Sequence, residues 1–237
     1  MRRRFFVEQF SGNTAVVEGE TAYHLGRVLR AQPGQLYELS DGQCMWLARI
    51  EQVGRDRVEF ALVEALPAHQ PAVEVTLLLS VVKFDSFEWA LEKATELGVT
   101  AIVPIAAARS DKALLSAASK RAQRWQKLVV EAAQQSRRVR VPVLEAVRLP
   151  DDALSDERAG LRLLFSERAD APPLRAVLSG AAGTAATLAI GPEGGWTDRE
   201  LEVARQAGFR EASLGKLILR TETAVIAALA SIQFALG

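Results

Sequence analysis

The chain is poor in the side chains that usually do chemistry. Its 237 residues include one cysteine, Cys44, and two histidines, His24 and His69. A lone thiol forms no internal disulfide, which fits a reducing compartment. One Cys and two His do not make a zinc site, so no metal centre is expected. Long apolar runs are also missing. The longest, Ala224 to Leu236, is too short to span a bilayer and contains Ser231 and Gln233. The basic opening Met1-Arg2-Arg3-Arg4-Phe5-Phe6-Val7-Glu8 meets acidic and polar residues before a signal-peptide core develops. These absences lead to the expectation of a cytosolic protein that does not enter a membrane.

What is present is globular. Apolar residues make up 49% and charged residues 24%, enough for one large domain or two small ones with a substantial core. The formal net charge of zero hides an uneven distribution. Positions 109–140 carry nine cations (Arg109, Lys112, Lys120, Arg121, Arg124, Lys127, Arg137, Arg138, Arg140) against Asp111 and Glu131. Such a block reads equally as a solvated helix face or as the footprint of one anionic partner.

Two patterns divide the chain. Residues 1–70 read as short strands, at 4–7, 35–39, 46–50 and 58–63, punctuated by Gly12-Asn13, Pro33-Gly34, Asp41-Gly42 and Gly54-Arg55-Asp56. One helix, Thr21 to Arg30, interrupts this small β-barrel pattern. Pro67-Ala68-His69-Gln70-Pro71 reads as the linker. Residues 71–237 then alternate strand and helix, the mark of an α/β domain with a mostly parallel sheet. Val73 to Val82 is an apolar run suited to burial on both faces. Asp85-Ser86-Phe87-Glu88 and Thr197-Asp198-Arg199-Glu200 read as capping boxes. Long helices are expected over about 116–137 and from Thr223 to the end, with strands near 143–147, 161–165 and 186–190.

Two glycine loops stand out. Ile190-Gly191-Pro192-Glu193-Gly194-Gly195-Trp196-Thr197 and Leu214-Gly215-Lys216-Leu217-Ile218-Leu219-Arg220-Thr221-Glu222-Thr223-Ala224 each leave a strand and enter a helix. Without a Cβ, a glycine lets a ligand lie against backbone amides. Neither loop is a dinucleotide fingerprint, and Gly215-Lys216-Leu217 lacks the Ser or Thr of a phosphate loop. Neither holds His or Cys. Singly, each reads better as a tight strand-to-helix turn. Together they suggest a site for a cofactor that brings its own reactivity.

The pair resembles the signature of the RsmE-type 16S ribosomal RNA uridine methyltransferases of the SPOUT superfamily. The likeness extends to Arg4-Phe5-Phe6-Val7, to His24-Leu25-Gly26-Arg27-Val28-Leu29-Arg30, and to Lys93 through Val99. It continues at Arg124-Trp125, Glu131-Ala132, Gln135-Ser136 and Arg138. Four positions depart from the family's habit. They are Phe84, where Gly often follows Lys, Ala108 before Arg109 in place of Glu, Trp196 in place of Phe, and Lys216-Leu217, where Pro is common.

The resemblance implies a PUA-like β-barrel over 1–70 that binds RNA and a SPOUT methyltransferase domain with a trefoil knot over 71–237. It implies S-adenosyl-L-methionine as cofactor, a homodimer, and the 16S ribosomal RNA of the small ribosomal subunit as partner. Cofactor contacts are expected from Phe165, Ser166, Gly191, Pro192, Glu193, Gly194, Gly195, Leu214, Gly215, Ile218, Leu219 and Thr221. Arg220 suits the negative charge that develops on a uracil losing its N3 proton. Glu222 or Glu193 is the expected proton acceptor, although Glu222 equally complements a helix dipole. Arg2, Arg3, Arg4, Arg27, Arg30, Arg121, Arg124, Lys127 and Arg138 are the expected RNA contacts. A non-catalytic ribosome-assembly protein, or an enzyme for another RNA position such as a ribose hydroxyl, are the other readings.

Overall fold

The computed structural model describes residues 3–237, and their contacts divide them into two units. The first takes the chain up to Gln70 together with Ala133–Val141; the second takes Pro71–Ala132 and Pro142–Gly237.

The first unit is a curled six-stranded sheet of β1 (Arg4–Phe6), β2 (Phe10–Ser11), β3 (Thr14–Glu18), β4 (Leu36–Ser40), β5 (Met45–Val53) and β6 (Arg57–Leu66). The spatial order is β1-β4-β5-β6-β3-β2, antiparallel except for the parallel β1–β4 pair. Alternation places Phe5, Leu39, Ile50, Val58 and Phe60 inside, and the Tyr37 ring stands edge-on to Phe5 and Phe60. The short β2 and β3 were hidden in the sequence behind the Gly12-Asn13 turn that joins them. The helix expected over 21–30 is a short α1 (Gly19–Tyr23) followed by a π-helical turn, His24–Val28. Arg30 then sits at φ +51°, a left-handed conformation unusual for a side chain of this size.

The segment 133–141 completes this unit. Arg4 lies opposite Glu38 in the β1–β4 register and bonds its carboxylate at 2.8 Å, while Nη1 donates to the Arg137 carbonyl. The Ser40 hydroxyl donates to the Val139 carbonyl at 2.6 Å.

The second unit is built on an all-parallel sheet of β7 (Glu74–Ser80), β8 (Ala101–Ile105), β9 (Val143–Leu144), β10 (Leu161–Phe165), β11 (Ala185–Ile190) and β12 (Arg210–Ala212). The order is β12-β10-β11-β7-β8-β9. Leu77, Leu78 and Leu79 are all fully buried, as a strand covered on both faces requires.

Helices α2 (Phe84–Glu96), α3 (Lys112–Gln135), α4 (Pro150–Leu154), α5 (Leu174–Val177), α6 (Asp198–Gln206) and α7 (Thr221–Leu236) complete the unit, and α7 packs on α2 and β11. Trp125 of α3 is buried against Phe84 and Phe87, with ring centroids 6.0 and 4.6 Å away.

The capping box at Thr197 and Glu200 forms with both reciprocal bonds. The one expected at Asp85 to Glu88 does not. Helix α2 starts at Phe84 without a side-chain cap, because Glu88 is buried and accepts two bonds from Arg124 at 2.8 Å instead. An ionised guanidinium fork is a stronger partner than one backbone amide.

Candidate functional site

Because β11 fills the place between β7 and β10, the carboxyl ends of β12, β10 and β11 lie side by side. In open parallel sheets ligands bind at such ends, where the strand order reverses. The loops that follow these strands, at 165–167, 190–193 and 213–219, line one cleft that is open to solvent. Thr221 and Ala224 at the start of α7 close it.

Backbone conformation shapes the walls. Gly191 takes no Cβ, because one would lie 3.0 Å from the Trp196 indole. Gly215 sits at φ +145° with open space around it, so its backbone is bare toward the cleft it lines. Ser213 fixes that turn by donating to the Gly215 carbonyl at 2.9 Å. Pro192, Leu214, Leu217, Ile218 and Leu219 supply apolar surface. Leu217 and Ile218 are also 82% and 84% exposed.

Of the expected cofactor contacts, Phe165, Ser166, Gly191, Pro192, Glu193, Leu214, Gly215, Ile218, Leu219 and Thr221 all line this cleft. Gly194 and Gly195 do not. A Cβ on Gly194 would press on Arg109 at 3.1 Å, and one on Gly195 would strike the Glu167 carboxylate at 2.4 Å. Glycines 194 and 195 serve packing behind the cleft. Glu167, Ile190, Ser213, Leu217 and Ala224 are additional lining residues. Leu217 and Ala224 belong to the glycine motif itself, whereas Glu167 and Ser213 come from strand ends that carry no motif.

A sequence profile described as an RNA methyltransferase domain matches residues 69–233. The chain is 36% identical over 231 residues to the ribosomal RNA small subunit methyltransferase E of Synechocystis, an alignment covering 95% of this chain and 75% of the relative. The protein belongs to this methyltransferase family. The Bacillus subtilis member is 30% identical over 98% of this chain and 96% of its own length. Among solved structures, the Neisseria gonorrhoeae member bound to S-adenosyl methionine superposes with a TM-score of 0.90 at 32% identity, over 100% of this chain and 99% of its own. A Legionella pneumophila methyltransferase in complex with the same cofactor gives 0.89 at 28% identity, over 100% and 99%.

The expected catalytic groups of this family member sit at the edge of the cleft. Arg220 is the N-cap residue of α7, flanked by the lining residues Leu219 and Thr221. It is exposed, and its side chain makes no hydrogen bond or ion pair with any described residue. Glu222 is half-buried in the first turn of α7, and Glu193 is exposed on the cleft wall.

The expected RNA contacts divide into several groups. Arg2 lies outside the described residues. Arg3, Arg27 and Arg30 are exposed on the first unit. Arg4 is not available to RNA: it is 8% exposed and held by Glu38 and the Arg137 carbonyl. Arg124 is exposed but committed to Glu88, and Arg121 stands 4.7 Å over the Phe84 ring and 3.4 Å from the same carboxylate. Lys127 is exposed on α3. Burial pulls the Arg138 guanidinium well below its ordinary range, to about 10.

The basic block of the sequence is shared between the two units. Its members up to Lys127 belong to the second unit, and Arg137, Arg138 and Arg140 belong to the first. Glu88, from outside the block, neutralises part of its centre. No group of three or more His, Cys, Asp or Glu side chains among the described residues can hold a metal ion. No helix among them is long and apolar enough to cross a membrane.

Proposed function

We propose that this protein methylates N3 of a uridine in 16S ribosomal RNA, with S-adenosylmethionine as methyl donor. The observation that carries the reading is the cleft where β10, β11 and β12 end, which collects ten of the expected cofactor contacts from three separate stretches of a chain of this family. Bare backbone at Gly215 and the apolar side chains of 214 and 217–219 suit a ligand with a flat base and a polar tail. When bound, S-adenosylmethionine supplies a methyl group on a positively charged sulfonium.

The chain's own task is then orientation and charge. Uridine N3 lies on the Watson–Crick edge, so the base enters unpaired or flipped. Arg220, unpaired at the rim, donates to the uracil carbonyl oxygens as negative charge builds on them. Glu193 on the wall or Glu222 on α7 accepts the N3 proton, directly or through water. Arg3, Arg27 and Arg30 on one unit and Lys127 on the other supply phosphate contacts.

The same reading makes the first unit a PUA-like barrel that binds RNA. It makes the second a SPOUT domain whose C-terminal segment is threaded into a knot. The protein works in the cytoplasm as a homodimer. The exposed apolar side chains Leu217, Ile218 and Phe234 of the second unit support an interface there.

Calorimetry with S-adenosylmethionine, followed by mass spectrometry of ribosomal RNA from cells lacking the gene and treated with purified protein, tests this function. A 3-methyluridine appearing in small-subunit RNA is the expected result. Tight cofactor binding without any new methylated base would refute it.

A further inference from the structure

Two residues that do not line the cleft control its shape. Arg109 lies in the loop after β8, and β7 separates β8 from β11 in the sheet. Its side chain nevertheless reaches the loop after β11, where Nη1 donates to the carbonyls of Gly194 at 2.9 Å and Trp196 at 3.0 Å. Trp196 then extends the connection in the other direction. Its buried indole N–H donates to the Phe165 carbonyl at the end of β10, at 3.0 Å. The indole also fills the space beside Gly191. One chain of contacts thus links the loop after β8 to the loop after β11 and to the end of β10.

The surroundings are built for this chain. Gly194 is the residue that lets Arg109 approach, since a Cβ there would stand 3.1 Å from the Arg109 Cβ. Glu200 of α6 accepts the backbone N–H of Ala108 at 2.9 Å and that of Thr197 at 2.8 Å, fixing both loops from behind. Because Glu200 reaches the backbone of residue 108, that position needs no acid of its own. The indole bond has a further consequence. A phenylalanine at 196 would fill the same space but has no N–H, so the Phe165 carbonyl would lose its partner.

We infer that Arg109 and Trp196 are positioning residues that latch the 191–196 loop to the end of β10 and set how tightly the cofactor is held. The inference rests on the cofactor reading of the cleft. It assigns no contact with the cofactor to either side chain. With the latch intact, Gly191, Pro192 and Glu193 are presented in one conformation. Without it, the loop samples others, and the bound form carries a conformational cost.

The test uses the full chain and the variants Arg109→Gln, Arg109→Lys and Trp196→Phe. Arg109→Gln should weaken S-adenosylmethionine binding by about tenfold, as expected for the loss of two bonds from a charged donor. Arg109→Lys should regain most of that loss, because one ammonium can still donate to both carbonyls. Trp196→Phe should weaken binding about three- to tenfold by leaving one buried carbonyl unpaired. The two changes combined should cost less than the product of the single effects, since both open the same latch. At saturating cofactor the turnover and the KM for RNA should stay within about twofold of wild type.

Hydrogen exchange at the amides of 194–196 reads the latch independently, and should speed up in Arg109→Gln and Trp196→Phe without cofactor present. Cofactor affinity within twofold of wild type in Arg109→Gln, or unchanged exchange in that loop, would overturn the inference. A raised KM for RNA with unchanged cofactor affinity would overturn it too, and would make Arg109 an RNA contact. Wild-type protein that binds no S-adenosylmethionine would instead defeat the proposed function, and the exchange rates would still report on the latch.

Discussion

Replacing Glu200 by alanine tests how much of the second unit's stability is concentrated behind the glycine loop. The carboxylate is 3% exposed and accepts the N–H of Ala108, the N–H of Thr197 and the Thr197 hydroxyl, at 2.9, 2.8 and 2.7 Å. Truncation leaves two backbone donors short of a charged acceptor, at about 1–2 kcal/mol each once partial water access is allowed for. The Thr197 bond is the reciprocal half of the α6 capping box and is already included in this sum. The total is about 3 kcal/mol. For a chain of this length that corresponds to a fall in Tm of about 6–12 °C. Glu200→Gln keeps the size and one acceptor oxygen, so it should lose roughly half as much. Thermal unfolding followed by circular dichroism or calorimetry gives the answer. An alanine variant melting within about 2 °C of wild type would show that water replaces the carboxylate and that the reasoning from buried partners is wrong.

Other outcomes follow from the rim, the basic helix and the ion pairs. Arg220→Lys should leave cofactor affinity unchanged and slow single-turnover methylation by on the order of 100-fold, because the charge stays and the planar fork is lost. Replacing Arg3 and Arg27 by alanine should reduce the slope of log affinity for RNA against log salt by about 1.5, whereas Arg124→Ala should change it little, since Glu88 already holds that charge. The Asp156 carboxyl is held below its ordinary 3.8, chiefly by its hydrogen bond to Arg148. A depressed acid stabilises the fold above its unfolded pKa and loses that contribution as pH falls through its folded value. Asp156→Asn should therefore lower Tm by a few degrees at pH 7, from about 1 kcal/mol of partly exposed ion pairing. The gap to wild type should narrow progressively in melts taken as pH falls below the carboxyl's ordinary 3.8.

Burial and periodicity were legible in the sequence; partnership across the chain was not. The apolar run ending at Val82 and the helical spacing around Trp125 and Val129 report directly on which faces are covered, and the structure buries those residues. The Thr197 box was legible because both of its members lie within one turn. Glu88 misled for the converse reason. Its spacing from Asp85 is right for a cap, yet its partner Arg124 is 36 residues away and becomes adjacent only when α3 packs on α2.

Arg4 repeats the lesson. Among neighbouring arginines it reads as surface charge, but its acceptors are 34 and 133 residues away. At the candidate site, the glycine loops identified the cleft through their composition. The division between Gly191, which shapes the cavity, and Gly194, which makes room for Arg109, needed three dimensions.

The return of residues 133–141 to the first unit has a consequence for synthesis. When Gln70 has been made, the Arg4 guanidinium still lacks the Arg137 carbonyl and the Ser40 hydroxyl still lacks that of Val139. A further 71 residues must be added before the segment ending at Val141 exists. At ordinary elongation rates that is a wait of roughly 4–14 s. Sheet strands that precede the linker in sequence are thus finished only after much of the second unit has been translated. A fragment cut at the proline-flanked linker would stop folding at that unfinished stage, and should melt well below the first-unit transition of the whole chain.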